Sequence, residues 1–138
     1  MKVVYVDSGA WIALLNGSER LHPRARAAYE ALVEDGARLI TSTDVLDESA
    51  TRLRYDAGLK AGLAFRDAVA RAEASRLLRV LPVDATLQQK GFALWEKHPQ
   101  LVLSLTDATS AVLARGLSVK TVFGFDGDFR SLGFTLVP

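Results

Sequence analysis

Residues 2–15 read Lys2-Val3-Val4-Tyr5-Val6-Asp7-Ser8-Gly9-Ala10-Trp11-Ile12-Ala13-Leu14-Leu15, and their order decides the fold class. The first five form a β-branched and aromatic run, short enough for a strand and apolar enough to be covered on both faces. Asp7-Ser8-Gly9 supplies residues that favour a helix start, and the apolar block from Ala10 to Leu15 predicts a short helix ending near Asn16-Gly17. A buried strand running straight into a helix is the opening of a βαβ unit, whose strands lie parallel.

The same alternation continues along the chain. A helix is expected over 22–35, with Pro23 in its first turn and Gly36 beyond its end. Arg38-Leu39-Ile40-Thr41 reads as a strand and is followed by a helix from Thr43 to Asp56, closed by Gly58. Residues 59–76 are helical in pattern, 77–83 a strand, and Asp84 caps a helix that runs to Lys97 before His98-Pro99 breaks it. Ser104 opens a helix to Arg115, with Gly116 past its end; 119–123 is a strand, 124–128 a turn and 134–137 a last strand. Strands alternating with helices predict an α/β fold: a three-layer αβα sandwich around a central, mostly parallel sheet. With 138 residues and no linker rich in Pro, Gly or Ser, one domain over 1–138 is expected.

Composition narrows the chemistry. The chain is 49% hydrophobic and 24% charged, a globular balance, and it has no Cys, which excludes disulfides and thiolate metal sites. Its two His residues make an all-histidine metal site a poor expectation. No apolar run approaches the roughly 20 residues of a membrane span, so the expectation is a cytoplasmic protein without a membrane partner.

In open parallel sheets the functional crevice lies at the carboxyl ends of the strands. Here that edge is expected to gather Asp7 after the first strand, Asp44, Asp47 and Glu48 after the second, Asp107 in the first turn of the Ser104 helix, and Asp126 and Asp128 after the 119–123 strand. Each has a local explanation as well. Asp7 is placed to cap the first helix, Ser104 and Asp107 have capping-box spacing, Glu48 stands four residues before Arg52 as in an exposed helical ion pair and off the apolar stripe Leu46, Ala50, Leu53, and Asp126 and Asp128 flank Gly127 as turn formers do. These explanations treat the residues singly and leave their collection at one edge unexplained. Clustered carboxylates repel, and a hard divalent cation relieves that repulsion. Such a site suits metal-assisted hydrolysis of phosphodiesters. The chain contains no Walker-type phosphate loop, no dinucleotide fingerprint after the first strand and no Gly-x-Ser-x-Gly nucleophile elbow.

Four segments together resemble a known family. Val4 to Leu14 resembles the opening of a PIN domain; Thr41-Ser42-Thr43-Asp44-Val45-Leu46-Asp47-Glu48 resembles its second acidic motif, Ser104 to Ala111 its third and Val122 to Phe129 its fourth. Order, spacing and length resemble the VapC-type toxins of bacterial and archaeal toxin–antitoxin pairs. The resemblance implies a ribonuclease site using Mg²⁺ or Mn²⁺. Asp7 and Asp107 would be direct ligands, Glu48 and Asp126 would complete the site directly or through water, and Asp128 would be an auxiliary acid or, equally, the turn partner of Arg130. Ser8 and Ser104 would supply hydroxyls that hold the carboxylates. It also implies a homodimer and a cognate antitoxin protein. At positions 124 and 125 this chain has Gly and Phe where many relatives carry a small hydroxyl residue before the acid.

The charge map is compatible with an RNA substrate. The net charge is only +1, but residues 49–80 hold seven basic and three acidic side chains. Arg52, Arg54, Lys60, Arg66 and Arg71, with Arg76 and Arg79, are candidates for a groove that tracks phosphates of single-stranded or looped RNA. Two alternatives stand beside the toxin reading: a catalytically silent PIN-like domain that binds RNA or protein, and a housekeeping RNA-processing nuclease.

Overall fold

The computed structural model describes residues 2–138. Its elements run β1 (Val3–Val6), α1 (Ser8–Leu15), α2 (His22–Glu34), β2 (Arg38–Ser42), α3 (Thr43–Ala57), α4 (Leu59–Ala74), β3 (Leu78–Leu81), α5 (Ala85–Lys97), α6 (Leu105–Gly116), β4 (Thr121–Phe123), α7 (Asp128–Ser131) and β5 (Thr135–Val137). The strands form one five-stranded sheet in the order β3-β2-β1-β4-β5, and every pairing is parallel.

Val4, Tyr5 and Val6 are buried because β1 is the central strand and has helices over both faces, the environment its unbroken apolar run demands. The chain steps from β1 to β2 and β3 on one side, then crosses to β4 and β5 on the other. The reversal leaves a crevice at the carboxyl ends of β1 and β4. In register, Val6 lies beside Phe123, so Asp7 and Gly124 are the first residues past the sheet at that crevice. Beneath it, the Tyr5 hydroxyl donates to Ser110 Oγ at 2.8 Å, and the Trp11 ring meets Phe65 edge-on at 5.5 Å.

Helix-to-strand returns at the opposite, amino edge share one device. In four of them the second residue after the helix, just past its C-cap, is left-handed: Gly36 (φ 72°), Arg76 (φ 61°), Ser118 (φ 58°) and Gly133 (φ 95°). The next amide in each reaches back across the last turn: Ala37 to Leu32 O at 3.0 Å, Leu77 to Ala72 O at 3.0 Å, Val119 to Ala114 O at 2.8 Å and Phe134 to Phe129 O at 3.0 Å. This is the Schellman closure, which favours glycine at the left-handed position. Arg76 and Ser118 hold that conformation with a side chain, at about 1 kcal/mol each.

Several boundaries differ from expectation for physical reasons. The strand expected over 119–123 is confined to Thr121–Phe123, because the amide of Val119 is used in the closure just described. Gly116 lies inside α6, and Leu117 is its C-cap. The single turn α7 falls next to a stretch expected only as a turn and is too short to leave a periodic signature. On α3 the buried positions are Val45, Ser49 and Leu53, with Leu46 and Ala50 partly buried. The helix packs against α1, α4 and α6 together, so its covered face is wider than the expected stripe. No helix among the described residues is long and apolar enough to cross a membrane.

Helices α5 and α6 pack closely at Gly91. A Cβ there would lie 2.9 Å from Thr109 Cγ2 and 3.3 Å from Leu105 Cδ1. Alanine at this helical position gains about 1 kcal/mol of propensity, but overpacking against a β-branched side chain that cannot swing aside costs about 1–3 kcal/mol. Gly91→Ala is therefore expected to be destabilising by about 1 kcal/mol, seen as a lower urea midpoint at unchanged slope; an unchanged midpoint would show that the helix pair yields freely.

Candidate active site

Asp7 is fixed by its backbone. Its amide donates to Phe123 O at 2.9 Å, tying it to β4, and its carbonyl accepts from Ala10 and Trp11 at 3.2 and 3.3 Å, starting α1. It occupies the N-cap position, yet its side chain makes no capping bond. The carboxylate is turned inward at 3% exposure, and Oδ1 is buried with no hydrogen-bond partner. The capping explanation therefore fails for the side chain. Burial raises its pKa to about 7; the Asp107, Glu48 and Asp126 charges add to the rise, and the Ser8 amide acts against it.

Glu48 projects from α3 toward the same point. Its Oε2 is likewise buried and without a partner. Burial and the Asp107 charge raise its pKa; the hydroxyls of Ser8 and Thr106 and the charge of Arg52 oppose that. The helical ion pair expected with Arg52 does not form: Arg52 pairs with Asp56 at 3.6 Å. Glu48 is half-buried beside the covered face of α3, and the arginine stays in solvent.

Asp107 has two roles. With Ser104 it closes a full capping box: Ser104 N donates to Asp107 Oδ2 at 3.0 Å, and Asp107 N donates to Ser104 Oγ at 2.9 Å. That bond uses one oxygen, and the pKa of the group is still raised, first by burial and then by the Asp126 and Asp128 charges. Asp126 Oδ1 accepts from Asp128 N at 2.9 Å, the turn bond expected around Gly127. Asp128 begins α7 beside Asp107; among the described residues it forms no ion pair with Arg130. Asp44 is half-buried and receives a long bond of 3.4 Å from the Thr109 hydroxyl, while Asp47 is exposed.

The structure thus brings Asp7, Glu48, Asp107 and Asp126 within electrostatic reach of one another, with Ser8 beside Glu48 and Ser104 on Asp107. Among the described residues no three acids or histidines close into a ready-made cage, and a hard cation that keeps several waters and one or two carboxylates does not need one. Two orphaned, buried carboxylate oxygens in an oxygen-only, negatively charged setting fit Mg²⁺ or Mn²⁺. His22 is engaged elsewhere, with Nδ1 2.7 Å from Ala13 O.

Two neighbours of this site come from contacts between distant parts of the chain. Gly124 lies against Asp7: a Cβ there would sit 3.1 Å from Asp7 Cβ and 3.5 Å from Oδ2. Arg24, on α2, stacks over the Phe125 ring at 5.7 Å. Only the unusual Gly-Phe pair before Asp126 could have signalled either.

The basic residues separate into two groups. Arg52 and Arg54 lie on α3, and Lys60, Arg66 and Arg71 on α4; all five are exposed. Arg66 pairs with Asp67 at 3.0 Å in solvent, a bond weak enough to exchange for a phosphate. Arg71 lines a cleft of about 490 Å³ with Trp11 and Tyr29. Arg76 and Arg79 are a correction. They lie at the amino edge of the sheet, beside Val3, Arg38 and Thr121, and so belong to the edge opposite the carboxylates.

The fold is a parallel αβα sandwich whose four acids gather at its topological switch point. The PIN domain model matches residues 4–135, and the chain belongs to the PIN-domain family. A curated relative from Mycobacterium tuberculosis, the 23S rRNA-specific endonuclease VapC20, is 30% identical over 135 residues, covering 98% of either chain. The crystal structure of M. tuberculosis VapC20, a sarcin–ricin loop cleaving toxin, matches with a TM-score of 0.84 at 29% identity over 96% of both chains. VapBC2 from Rickettsia felis, crystallised bound to a DNA fragment from its promoter, matches with a TM-score of 0.70 at 15% identity over 97% of this chain and 96% of that one. At that identity the likeness concerns the fold alone.

Proposed function

We propose that residues 1–138 form one PIN domain acting as an Mg²⁺- or Mn²⁺-dependent endoribonuclease, the toxin of a toxin–antitoxin pair. The observation that carries this is the pair of buried, unpartnered oxygens, Asp7 Oδ1 and Glu48 Oε2, in a crevice that Asp107 and Asp126 make still more negative. Structures leave buried charged atoms unpaired at a cost of about 1–3 kcal/mol or more each, and a cation removes that cost.

Asp7 and Asp107 would hold the ion, and Glu48 and Asp126 would complete its surroundings directly or through water. A bound divalent ion supplies positive charge that draws electron density from the attacked phosphate and acidifies a water. Glu48 orients the attacking water, Ser104 keeps Asp107 in position through the capping box, and Ser8 steadies Glu48. Arg52, Arg54, Lys60, Arg66 and Arg71 hold flanking phosphates on the outer faces of α3 and α4. The substrate class is a looped RNA whose unpaired bases leave the strand open to attack, and the VapC20 likeness favours a loop of 23S rRNA. An antitoxin protein and a second copy of the chain are its protein partners.

Purified protein incubated with ribosomes and with a synthetic rRNA loop is expected to cut in Mg²⁺ or Mn²⁺, and EDTA is expected to abolish cutting. Mg²⁺ should also raise the melting temperature at pH 8, a readout independent of cleavage. Cleavage that survives EDTA removes the metal role. An ion-induced melting shift without cleavage of any RNA would favour the silent-domain alternative.

A further inference from the structure

The amino edge of the sheet, opposite the carboxylates, holds a cleft of about 730 Å³. Its walls are aliphatic, with Val3, Ile40, Leu78 and Val119 among them, and its rim carries Arg38, Arg76, Arg79 and Lys120 against a single acid, Glu73. Among the described residues none of these four cations has a carboxylate at ion-pair distance. The Arg38 guanidinium donates instead to the carbonyl of Arg76.

A second observation, independent of charge, points to the same place. Of the four left-handed helix closures, Gly36 and Gly133 have the residue that conformation favours, while Arg76 and Ser118 do not. The two exceptions are the two that line this cleft. Strain accepted at a non-glycine residue is retained where its side chain is used, and here it places a guanidinium and a hydroxyl at the cleft.

We infer that this cleft binds an acidic peptide segment of a partner protein, with aliphatic side chains in the cavity and carboxylates on the rim. The aliphatic walls would contribute nothing to a nucleic-acid backbone, and no aromatic ring among the lining residues offers a base a stacking face. The cations sit at the amino ends of β2, β3 and β4, spread over roughly 14 Å at the usual strand spacing. A ligand with one charged head cannot reach them all. An extended peptide, with same-side residues about 7 Å apart, presents carboxylates at that spacing.

The test uses the full chain and three dye-labelled probes: a short peptide of alternating Glu and Leu, its Lys–Leu counterpart, and an oligouridylate of similar length. Fluorescence anisotropy should show binding of the Glu–Leu peptide, weakening with salt. Arg79→Ala and Arg76→Gly should each lower that affinity roughly tenfold, the loss of one charge-assisted contact. Arg76→Gly should also raise the melting temperature by about 3 °C through relief of its backbone and leave RNA cleavage unchanged. Equal binding of the Lys–Leu peptide, preference for the oligouridylate, insensitivity to both substitutions, or a lowered melting temperature in Arg76→Gly would each overturn the inference.

Discussion

Asp7→Asn is expected to abolish RNA cleavage and, in the metal-free protein at pH 8, to raise the melting temperature. The activity loss follows from removing the charge at the centre of the acidic crevice. About a thousandfold is expected, equivalent to about 4 kcal/mol of transition-state stabilisation. The stability gain follows from where that charge sits. Asp7 is buried, and its pKa is lifted from 3.8 to about 7. A carboxyl raised in this way binds its proton more tightly in the folded state than in the unfolded one. The folded protein therefore loses stability as pH rises from about 4 to about 7 and does not recover it above that range. A shift of that size corresponds to roughly 4 kcal/mol, and Asn has no such charge to bury. Thermal melts in EDTA should show wild type falling steeply between pH 5 and pH 8 while Asp7→Asn falls less, through Glu48 and Asp107 alone. Mg²⁺ should restore wild type at pH 8 and do little for the variant. Parallel pH profiles for the two proteins would rule out Asp7 as the strained charge.

The second large effect separates the two roles of Asp107. Asp107→Asn keeps a side-chain oxygen to accept from the Ser104 amide, so the capping box survives. Cleavage should fall about a hundredfold or more as one ligand charge is lost, with the melting temperature close to wild type. Ser104→Ala does the reverse. It leaves the carboxylate and removes the hydroxyl that accepts from Asp107 N, at a stability cost of about 1 kcal/mol and a cleavage loss of only several-fold. Measured together by melting and cleavage, the pair should cross over. If Asp107→Asn lost stability and kept activity, Asp107 would be a helix cap alone.

Much of this site was legible in the chain because its signals are local. Val3 to Val6 followed by Asp7 reads as a strand delivering an acid to a sheet edge, and Ser104 with Asp107, or Asp84 before its helix, are patterns fixed within one helical turn. What escaped depends on distant parts of the chain meeting. The pairing of Arg52 with Asp56 in place of Glu48 follows from how deeply α3 is set among three other helices. Arg76 and Arg79 are continuous in sequence with the basic stretch of α3 and α4, yet α4 carries the chain to the amino edge before β3 begins, so they emerge at the far end of the sheet. The left-handed backbone at Arg76 and Ser118 has no residue signature, since glycine is the usual marker and neither position has it. Arg24 reaches Phe125 across 101 positions of sequence, beyond any periodic pattern.

The contact between Gly124 and Asp7 binds the fates of two positions far apart in the chain. A serine or threonine placed at 124 would bring its Cβ to 3.1 Å from that of the aspartate and push it off its seat by a few tenths of an ångström. The bare backbone at 124 thus sets how far the aspartate can lean toward β4, so the volume of one residue tunes the seat of the other across 117 positions of chain.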